Sequence, residues 1–296
     1  MKIAIYGQFY KEEVSIYLEN LFNALEKNKI AIVIERKFND AIKKQRKLAV
    51  NYPTFSSYKD LDKSFNMVIT IGGDGTFLRS IAFVRDTGIP ILGLNVGRLG
   101  FLANVQKDKI DQAITALINK EYKIIKRTLL KVKIVPEIAN FSELNVALNE
   151  ITIVRKNSTS MITVETHLDE EFLTRYWADG LIIATPTGST GYSLSCGGPV
   201  ISPTSKNIIL TPIAPHNLSA RPLVIPEFTK IKLKVVGREK HALLSLDSRI
   251  VTIPNNAEVN IEKADYAIKT VQLHNQTFLK TLREKLLWGE DIRNTK

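Results

Sequence analysis

An α/β domain built on a parallel sheet, then an all-β domain, then a final helix returning to the first domain, is the fold class that the sequence predicts. Strands alternate with amphipathic helices up to about residue 125. Beyond that point, short β-rich runs separated by turn residues take over. From Thr277 a helical stripe reappears, and a lone helix after a β domain must bury its apolar face somewhere. The predicted division is residues 1–125 plus 276–296 for the α/β domain and 126–275 for the β domain.

The first domain opens with a strand over Lys2–Tyr6 and a helix over Glu12–Lys27, whose Val14, Leu18, Leu21, Phe22 and Leu25 share one stripe. A second strand at Ile30–Ile34 completes a βαβ opening, which predicts a right-handed parallel unit. Arg36–Leu48 reads as an exposed basic helix, and Asn51–Ser57 as a loop. Five mostly apolar residues, Met67–Ile71, are too short for a helix and read as a buried strand; a helix is expected from Phe77 to Asp86. Ile89–Leu94 is the next strand and Lys107–Asn119 the next amphipathic helix.

In the β domain, strands are expected at Lys126–Val135, Glu150–Val154, Met161–Leu168, Leu181–Ala184, Lys230–Val236, Ala242–Leu246, Ile250–Ile253 and Glu258–Lys263. Leu168–Glu171, Asp247–Arg249 and Pro254–Ala257 carry hairpin-turn residues. The last helix follows Thr277, with Gly289 as its expected C-cap.

Net charge is +11, from 41 basic and 30 acidic side chains, with basic clusters at Arg36–Lys47 and Lys120–Lys133. Solvated helical faces account for such clusters, and an anionic partner would also use them. No nucleic-acid motif accompanies the charge, so a phosphorylated small molecule is the expected partner rather than nucleic acid. One cysteine, Cys196, excludes an internal disulfide and suits a reducing compartment. It sits among Ser195, Gly197 and Gly198, where any small residue fits, so a nucleophilic role is not expected. The apolar run after Lys2 ends before Lys11, too early for a signal peptide, and no stretch is long enough to span a bilayer. A soluble, cytoplasmic protein without membrane partners is expected.

The chemistry gathers in three places. Gly72-Gly73-Asp74-Gly75-Thr76 follows the strand Met67–Ile71 and opens a helix, a geometry in which main-chain N–H groups hold phosphate. An ordinary turn with Thr76 as N-cap is the bland alternative. It is neither a Walker A loop, since no Gly-Lys pair occurs, nor GxGxxG, since Leu78 stands at the third glycine position. Phosphate needs no acid beside it, so Asp74 points to a hydroxyl, while Arg79, one turn on, is within reach of a phosphate. Asn149-Glu150 is either a turn pair or a donor-and-acceptor pair for ribose hydroxyls, with a carboxylate for Mg²⁺ as a further option. Ala178-Asp179-Gly180 introduces an uncharged run to Ser205 whose core, Thr185–Ser193, crowds hydroxyls and free N–H groups into a small space. It is not a nucleophile elbow, because Thr187 stands where glycine is required before Ser189. Tyr192 fits either a base-stacking or a core position, and Asp179 either a ligand amide or an Asx-turn. The four histidines share no ligand spacing, so no tightly held transition metal is expected.

These motifs, in this order, resemble the NAD kinase family: GGDGT at Gly72–Thr76, NVGRLGF at Asn95–Phe101, Asn149-Glu150, Asp179–Ser195, PIAPHNLSARPLV at Pro212–Val224 and LREKLLWG at Leu282–Gly289. The resemblance runs from about residue 65 to the C-terminus. GGDGT alone is less specific, because lipid kinases and phosphofructokinases carry similar turns. The resemblance implies a Rossmann-like sheet domain plus a sandwich-like β domain carrying much of the NAD site, in a homodimer or homotetramer. It implies transfer of the ATP γ-phosphate to the 2′-hydroxyl of the adenosine ribose of NAD, giving NADP, with Mg²⁺ delivered on ATP and polyphosphate as an alternative donor. Asp74 would be the proton acceptor, with Gly75 and Arg79 facing phosphates. Asn149 and Glu150 would bind adenosine and Asp179 the nicotinamide half. Thr187, Thr190, Gly191, Tyr192, Ser193, Leu194 and Ser195 would line the dinucleotide groove, with Ala214 and Asn217 beside it. Two departures stand out. Trp177 replaces the basic or polar residue common before Ala-Asp-Gly, which bears on NAD against NADH. Arg249 ends a turn, Asp247-Ser248-Arg249, that relatives often end in glutamine. A lipid kinase of related fold and a catalytically silent dinucleotide sensor are the competing readings.

Overall fold

The computed structural model describes residues 1–8, 14–44, 51–138, 141, 143–157, 160–274 and 276–288. The chain divides into two compact units, Met1–Lys126 with Ile268–Lys296, and Arg127–Ala267.

The first unit begins with β1 (Lys2–Gly7), α1 (Ser15–Lys27), β2 (Ala31–Glu35), α2 (Arg36–Lys44), β3 (Thr54–Phe55), β4 (Met67–Ile71), α3 (Asp74–Val84), β5 (Ile91–Asn95), β6 (Val105–Gln106), α4 (Ile110–Ile118) and β7 (Tyr122–Arg127). β4 and β5 are buried at every position, the burial of a parallel strand covered on both faces. Each flanking helix contributes one apolar stripe: Leu18, Leu21, Phe22 and Leu25 from α1, and Ile110, Ala113, Ile114 and Leu117 from α4. These meet Ile3, Ile5, Ile69 and Leu92 of the sheet in one core. The basic helix α2 is less exposed than its charge predicts, because Phe38, Asn39 and Ile42 turn inward. The expected continuation to Leu48 lies outside the described residues. Within the expected loop at Asn51–Ser57, the backbone of Ile34 and Glu35 recruits β3 as a short parallel edge strand.

The second unit contains β8 (Leu130–Val135), β9 (Val146–Ala147), β10 (Glu150–Arg155), β11 (Ile162–Leu168), β12 (Glu171–Ala178), β13 (Gly180–Ala184), α5 (Tyr192–Ser195), β14 (Asn207–Ile213), β15 (Leu223–Pro226), β16 (Ile231–Val236), β17 (His241–Leu246), β18 (Arg249–Pro254) and β19 (Glu258–Lys263). Among the described residues they form two six-stranded antiparallel sheets, ordered β15-β14-β13-β10-β17-β18 and β12-β11-β16-β19-β8-β9. One apolar core joins the sheets, with Ile151, Leu181 and Leu244 from the first and Val132, Val164 and Leu233 from the second. β8 and β16 alternate buried with more exposed positions. β13 is buried at all five positions, because Cys196 and Ile201 cover its second face.

Several strands differ from the sequence reading. Lys126–Val135, read as one strand, is the end of β7 and, after a break, β8. β12, β14 and β15 carry no clear alternation and are strands through their ladder partners. Asp169 and Glu170 both take left-handed φ, 49° and 69°, giving a tight two-residue hairpin. Pro254–Ala257 is instead a corner between sheets, since β18 and β19 lie in different ones.

The chain rejoins the first unit at β20 (Ile268–Leu273), earlier than the expected residue 276, since β20 pairs in parallel with β5 at Thr270↔Ile91. The completed sheet has the order β3-β2-β1-β4-β5-β20-β7, with β6 also on β5. α6 (Phe278–Leu286) follows, its first turn capped by Thr277 Oγ1 accepting from the Lys280 N–H at 3.2 Å. The Phe278 ring lies 6.2 Å from that of Phe101. Leu287 leaves the helix with φ 54°, while the expected cap Gly289 lies outside the described residues. No helix among the described residues is long and apolar enough to cross a membrane.

Loss of the α6 cap gives a direct test of this junction. Thr277→Ala should cost about 1 kcal/mol locally and speed hydrogen exchange of the first-turn amides of α6 about fivefold. Unchanged protection there would remove the cap from the account.

Candidate active site

The strand order 3-2-1-4-5 reverses direction between β1 and β4, and ligands of open α/β sheets bind at the carboxyl ends beside such a switch. The glycine turn Gly72–Thr76 leaves β4 there. The helix starts earlier than Phe77: α3 begins at Asp74 with Gly73 as N-cap, so Thr76 is helical rather than capping.

Asp74 is held from outside its own helix. Its Oδ2 accepts from the Phe101 N–H at 2.9 Å, and its Oδ1 from Leu102 at 3.0 Å and Ala103 at 2.8 Å. Three N–H groups hold the side chain in one orientation. The loop that supplies them is stapled by Asn95, whose Oδ1 accepts from Gly97 N–H at 2.7 Å. Its Nδ2 donates to the carbonyls of Arg98 and Ala103 at 2.6 and 3.0 Å. Gly100 is obligatory at this approach, since a Cβ there would stand 2.0 Å from Asp74 Oδ1. Gly75 and Arg79 are exposed on the first turns of α3.

The second unit brings Asn149, Glu150 and the neutral loop together. The Thr185 N–H donates to the Asn149 carbonyl at 2.9 Å, and Thr185 Oγ1 donates to Leu148 O at 2.6 Å. Gly188 presses so closely that a Cβ would stand 2.1 Å from the Asn149 carbonyl oxygen. Asn149 Oδ1, Glu150 Oε2 and Thr187 Oγ1 are buried with no hydrogen-bond partner in the protein. Burial pushes the Glu150 carboxyl up to about 8, the Asp247 carboxylate adds to the rise, and the Tyr192 main-chain N–H opposes it.

Thr190, Gly191, Leu194 and Ser195 are at least partly accessible along the short turn and α5. Tyr192 is 44% exposed, which removes the core reading. Ser193 points inward, its hydroxyl paired with Thr211 Oγ1 at 2.8 Å, so its side chain anchors the loop to β14. Asp179 accepts from Arg155 Nη2 at 3.0 Å rather than forming an isolated Asx-turn. Ala214 follows β14 with φ 42°, and the exposed Asn217 turns the chain through its carbonyl, which accepts from Ala220 N–H at 3.0 Å. The Trp177 ring lies tilted against that of His216, with centroids 4.4 Å apart. Burial pushes the Cys196 thiol up, in keeping with a packing role.

Asn95, Thr185 and Asp247 escaped the sequence reading as site residues. The Asn-x-Gly of Asn95–Gly97 is the local signal for an Asx turn, and Thr185 sits within the hydroxyl-rich loop. Asp247 offers only the appearance of a hairpin-turn residue.

A captured acid at the switch point of one unit and, in the other, a hydroxyl-rich loop beside buried, unpartnered oxygens are the equipment of a nucleotide-handling protein. Residues 3–122 match the family model for the ATP-NAD kinase N-terminal domain, and residues 148–273 that for the ATP-NAD kinase C-terminal domain. An NAD kinase of Flavobacterium psychrophilum is 55% identical over 294 residues, covering 99% of this chain and 100% of that protein. One of Porphyromonas gingivalis is 40% identical, with 99% of each covered. The chain belongs to the ATP-NAD kinase family and is a phosphotransferase. The crystal structure of yeast NADH kinase complexed with NADH matches with a TM-score of 0.89 at 25% identity, covering 100% of this chain and 90% of that one. An NAD kinase from Archaeoglobus fulgidus in complex with ATP shares the fold, with a TM-score of 0.73 at 24% identity and 97% of each chain covered.

Two measurements check this geometry. Gly100→Ala must displace Asp74 or the 101–103 loop, and kinase activity should fall by about 100-fold or more, the scale of misplacing a catalytic group; wild-type turnover would refute the cage. For Glu150 the carboxyl stands above its ordinary 4.5 in the folded protein, so the unfolded chain ionises first and stability is lost as pH rises from 4.5 to about 8. The Tm of the ligand-free protein, relative to Glu150→Gln, should therefore fall across that window. A pH-independent difference would count against a proton on Glu150.

Proposed function

We propose that this chain transfers the γ-phosphate of ATP to the 2′-hydroxyl of the adenosine ribose of NAD, giving NADP. The observation that carries the reading is the adjacent pair of buried, unpartnered oxygens, Asn149 Oδ1 and Glu150 Oε2. Buried polar atoms are normally satisfied, and a ribose hydroxyl together with the amino group of its adenine supplies donors of the kind that these two lack. The relatives named NAD kinase, with the NADH-bound and ATP-bound structures, support the choice of substrates.

In this reading Asp74 orients the 2′-hydroxyl and accepts its proton, with Gly75 and Arg79 facing phosphates. Asn149 and Glu150 hold the adenosine and Asp179 the nicotinamide half. Thr187, Thr190, Gly191, Tyr192, Leu194 and Ser195 line the groove, with Ala214 and Asn217 beside it, and Ser193 braces it from below. Catalysis of phosphoryl transfer is mostly positioning and electrostatics, which suits an acid fixed by three N–H groups. Among the described residues no group of three or more His, Cys, Asp or Glu is placed to hold a metal ion. Mg²⁺ is assigned to the phosphates of ATP, where it neutralises developing charge. The reading includes a homodimer or homotetramer working in the cytosol.

The test is incubation with NAD, Mg²⁺ and either ATP or polyphosphate, with NADP detected by an NADP-specific dehydrogenase. No NADP above a no-enzyme control with either donor overturns the proposal. Asp74→Asn should keep NAD binding and lose about 10²–10⁴-fold in turnover, the range of general-base catalysis.

A further inference from the structure

Asp247 opens the two-residue turn between β17 and β18 and reaches the segment that carries Asn149 and Glu150. Its Oδ2 accepts from the Leu148 N–H at 3.0 Å, and its Oδ1 from Asn149 at 2.8 Å and Glu150 at 3.2 Å. From the far side of the same turn, Arg249 donates through its guanidinium to the carbonyls of Leu144 and Val146. One hairpin therefore clamps the main chain from 144 to 150, by its carbonyls at one end and its N–H groups at the other. Beside this clamp, the side-chain oxygens Asn149 Oδ1 and Glu150 Oε2 are left open.

We propose that Asp247 is a positioning residue for the dinucleotide: its hold on the main chain of Leu148–Glu150 fixes where Asn149 and Glu150 meet the ribose, and its carboxyl stands as the near neighbour of Glu150. The proposal rests on the reading of Asn149-Glu150 as the ribose-holding pair.

Electrostatics support the geometry. Among the described residues the charged group that acts on Glu150 is Asp247, which Arg249 of β18 faces in turn, with Tyr266 acting on Arg249; Tyr192 of α5 contributes its main-chain N–H. Burial pushes Asp247 up too, but its three N–H donors and Arg249 favour its charge. Glu150 has a single opposing N–H, so of the two buried carboxyls Glu150 more readily keeps its proton. An ionised carboxylate is the stronger acceptor for ribose hydroxyls, so binding releases that proton.

The experiment is the pH profile of kcat/KM for NAD at saturating ATP, for wild type, Asp247→Asn and Glu150→Gln. Wild type should rise through an inflection near about 8, the profile reporting free-enzyme ionisation. In Asp247→Asn one amide face meets the Leu148 N–H donor to donor, and KM for NAD should rise about tenfold with kcat within about threefold. Its inflection should move to the acid side by about one pH unit or more, because the negative neighbour is gone. Glu150→Gln should show no inflection and a raised KM. Asp247→Asn with the wild-type inflection overturns the positioning role, even if KM rises. Glu150→Gln with wild-type KM overturns the ribose-pair reading instead. Should Asp247→Asn fail to fold by circular dichroism, calorimetry on wild type decides. NAD binding at pH 7, measured in buffers of different ionisation enthalpy, should release close to one proton, and Glu150→Gln none. Absence of that release in wild type overturns the proposal.

Discussion

A carboxylate drawn out of bulk water needs fixed donors, and this chain meets the need twice with three successive main-chain N–H groups. At Asp74 the donors come from Phe101–Ala103; at Asp247 they come from Leu148–Glu150. In the first case the protein brings a loop to the acid, and in the second it brings an acid to the loop. Main-chain donors have no rotamers to lose and survive every substitution except proline, so both arrangements fix position at small entropic cost. What they demand is close approach, which is why Gly100 and Gly188 are tied to the site by space rather than by chemistry.

The neutral loop is explained by what lies beneath it. β13 and the following β14 are buried almost throughout, and the residues around Cys196 and Ile201 cover the outer face of their sheet. A charged residue laid on that face would be desolvated without a partner. The run from Gly180 to Ser205 is therefore apolar or hydroxylic, and apart from Thr187 Oγ1 its buried hydroxyls find partners within the protein. Ser189, for instance, bonds both Pro186 O and the Ile201 main chain. The same constraint that keeps charge out leaves N–H groups and hydroxyls as the means of recognition.

Local chemistry was legible in the sequence; contacts made across it were not. Gly72–Thr76, Asn149-Glu150 and the Thr185–Ser193 loop announce themselves within a few residues, and so did the alternation of strands and helices in the first domain. The start of α3 at Asp74 was hidden because Gly-Asp-Gly reads as a turn, although its helical pairing begins at the second glycine. β12 was missed because an edge strand with Phe172 and Leu173 exposed shows no clean alternation. Arg249 looked like a departure from a pattern, yet its role lies in carbonyls more than a hundred residues earlier in the chain, at Leu144 and Val146. No spacing rule reaches that far. Asp247 carried the same concealment, a turn residue by composition and a clamp by contact.

The return of the chain at Ile268 has a consequence for how the protein is made. β20 lies between β5 and β7, both of which are synthesised well before it. At translation rates of about 5–20 residues per second, roughly 140 residues must emerge before β20 exists, a delay of about seven to thirty seconds. During that interval β6 covers only the Leu94–Asn95 end of that edge of β5, the Ile91 end has no native neighbour on that side, and β7 has no native place beside it. An unpaired apolar edge is a template for wrong strands. The intervening residues, 127–267, form a compact unit with two sheets of their own. The nascent chain must hold a vacancy one strand wide in its first sheet until the second unit has been completed.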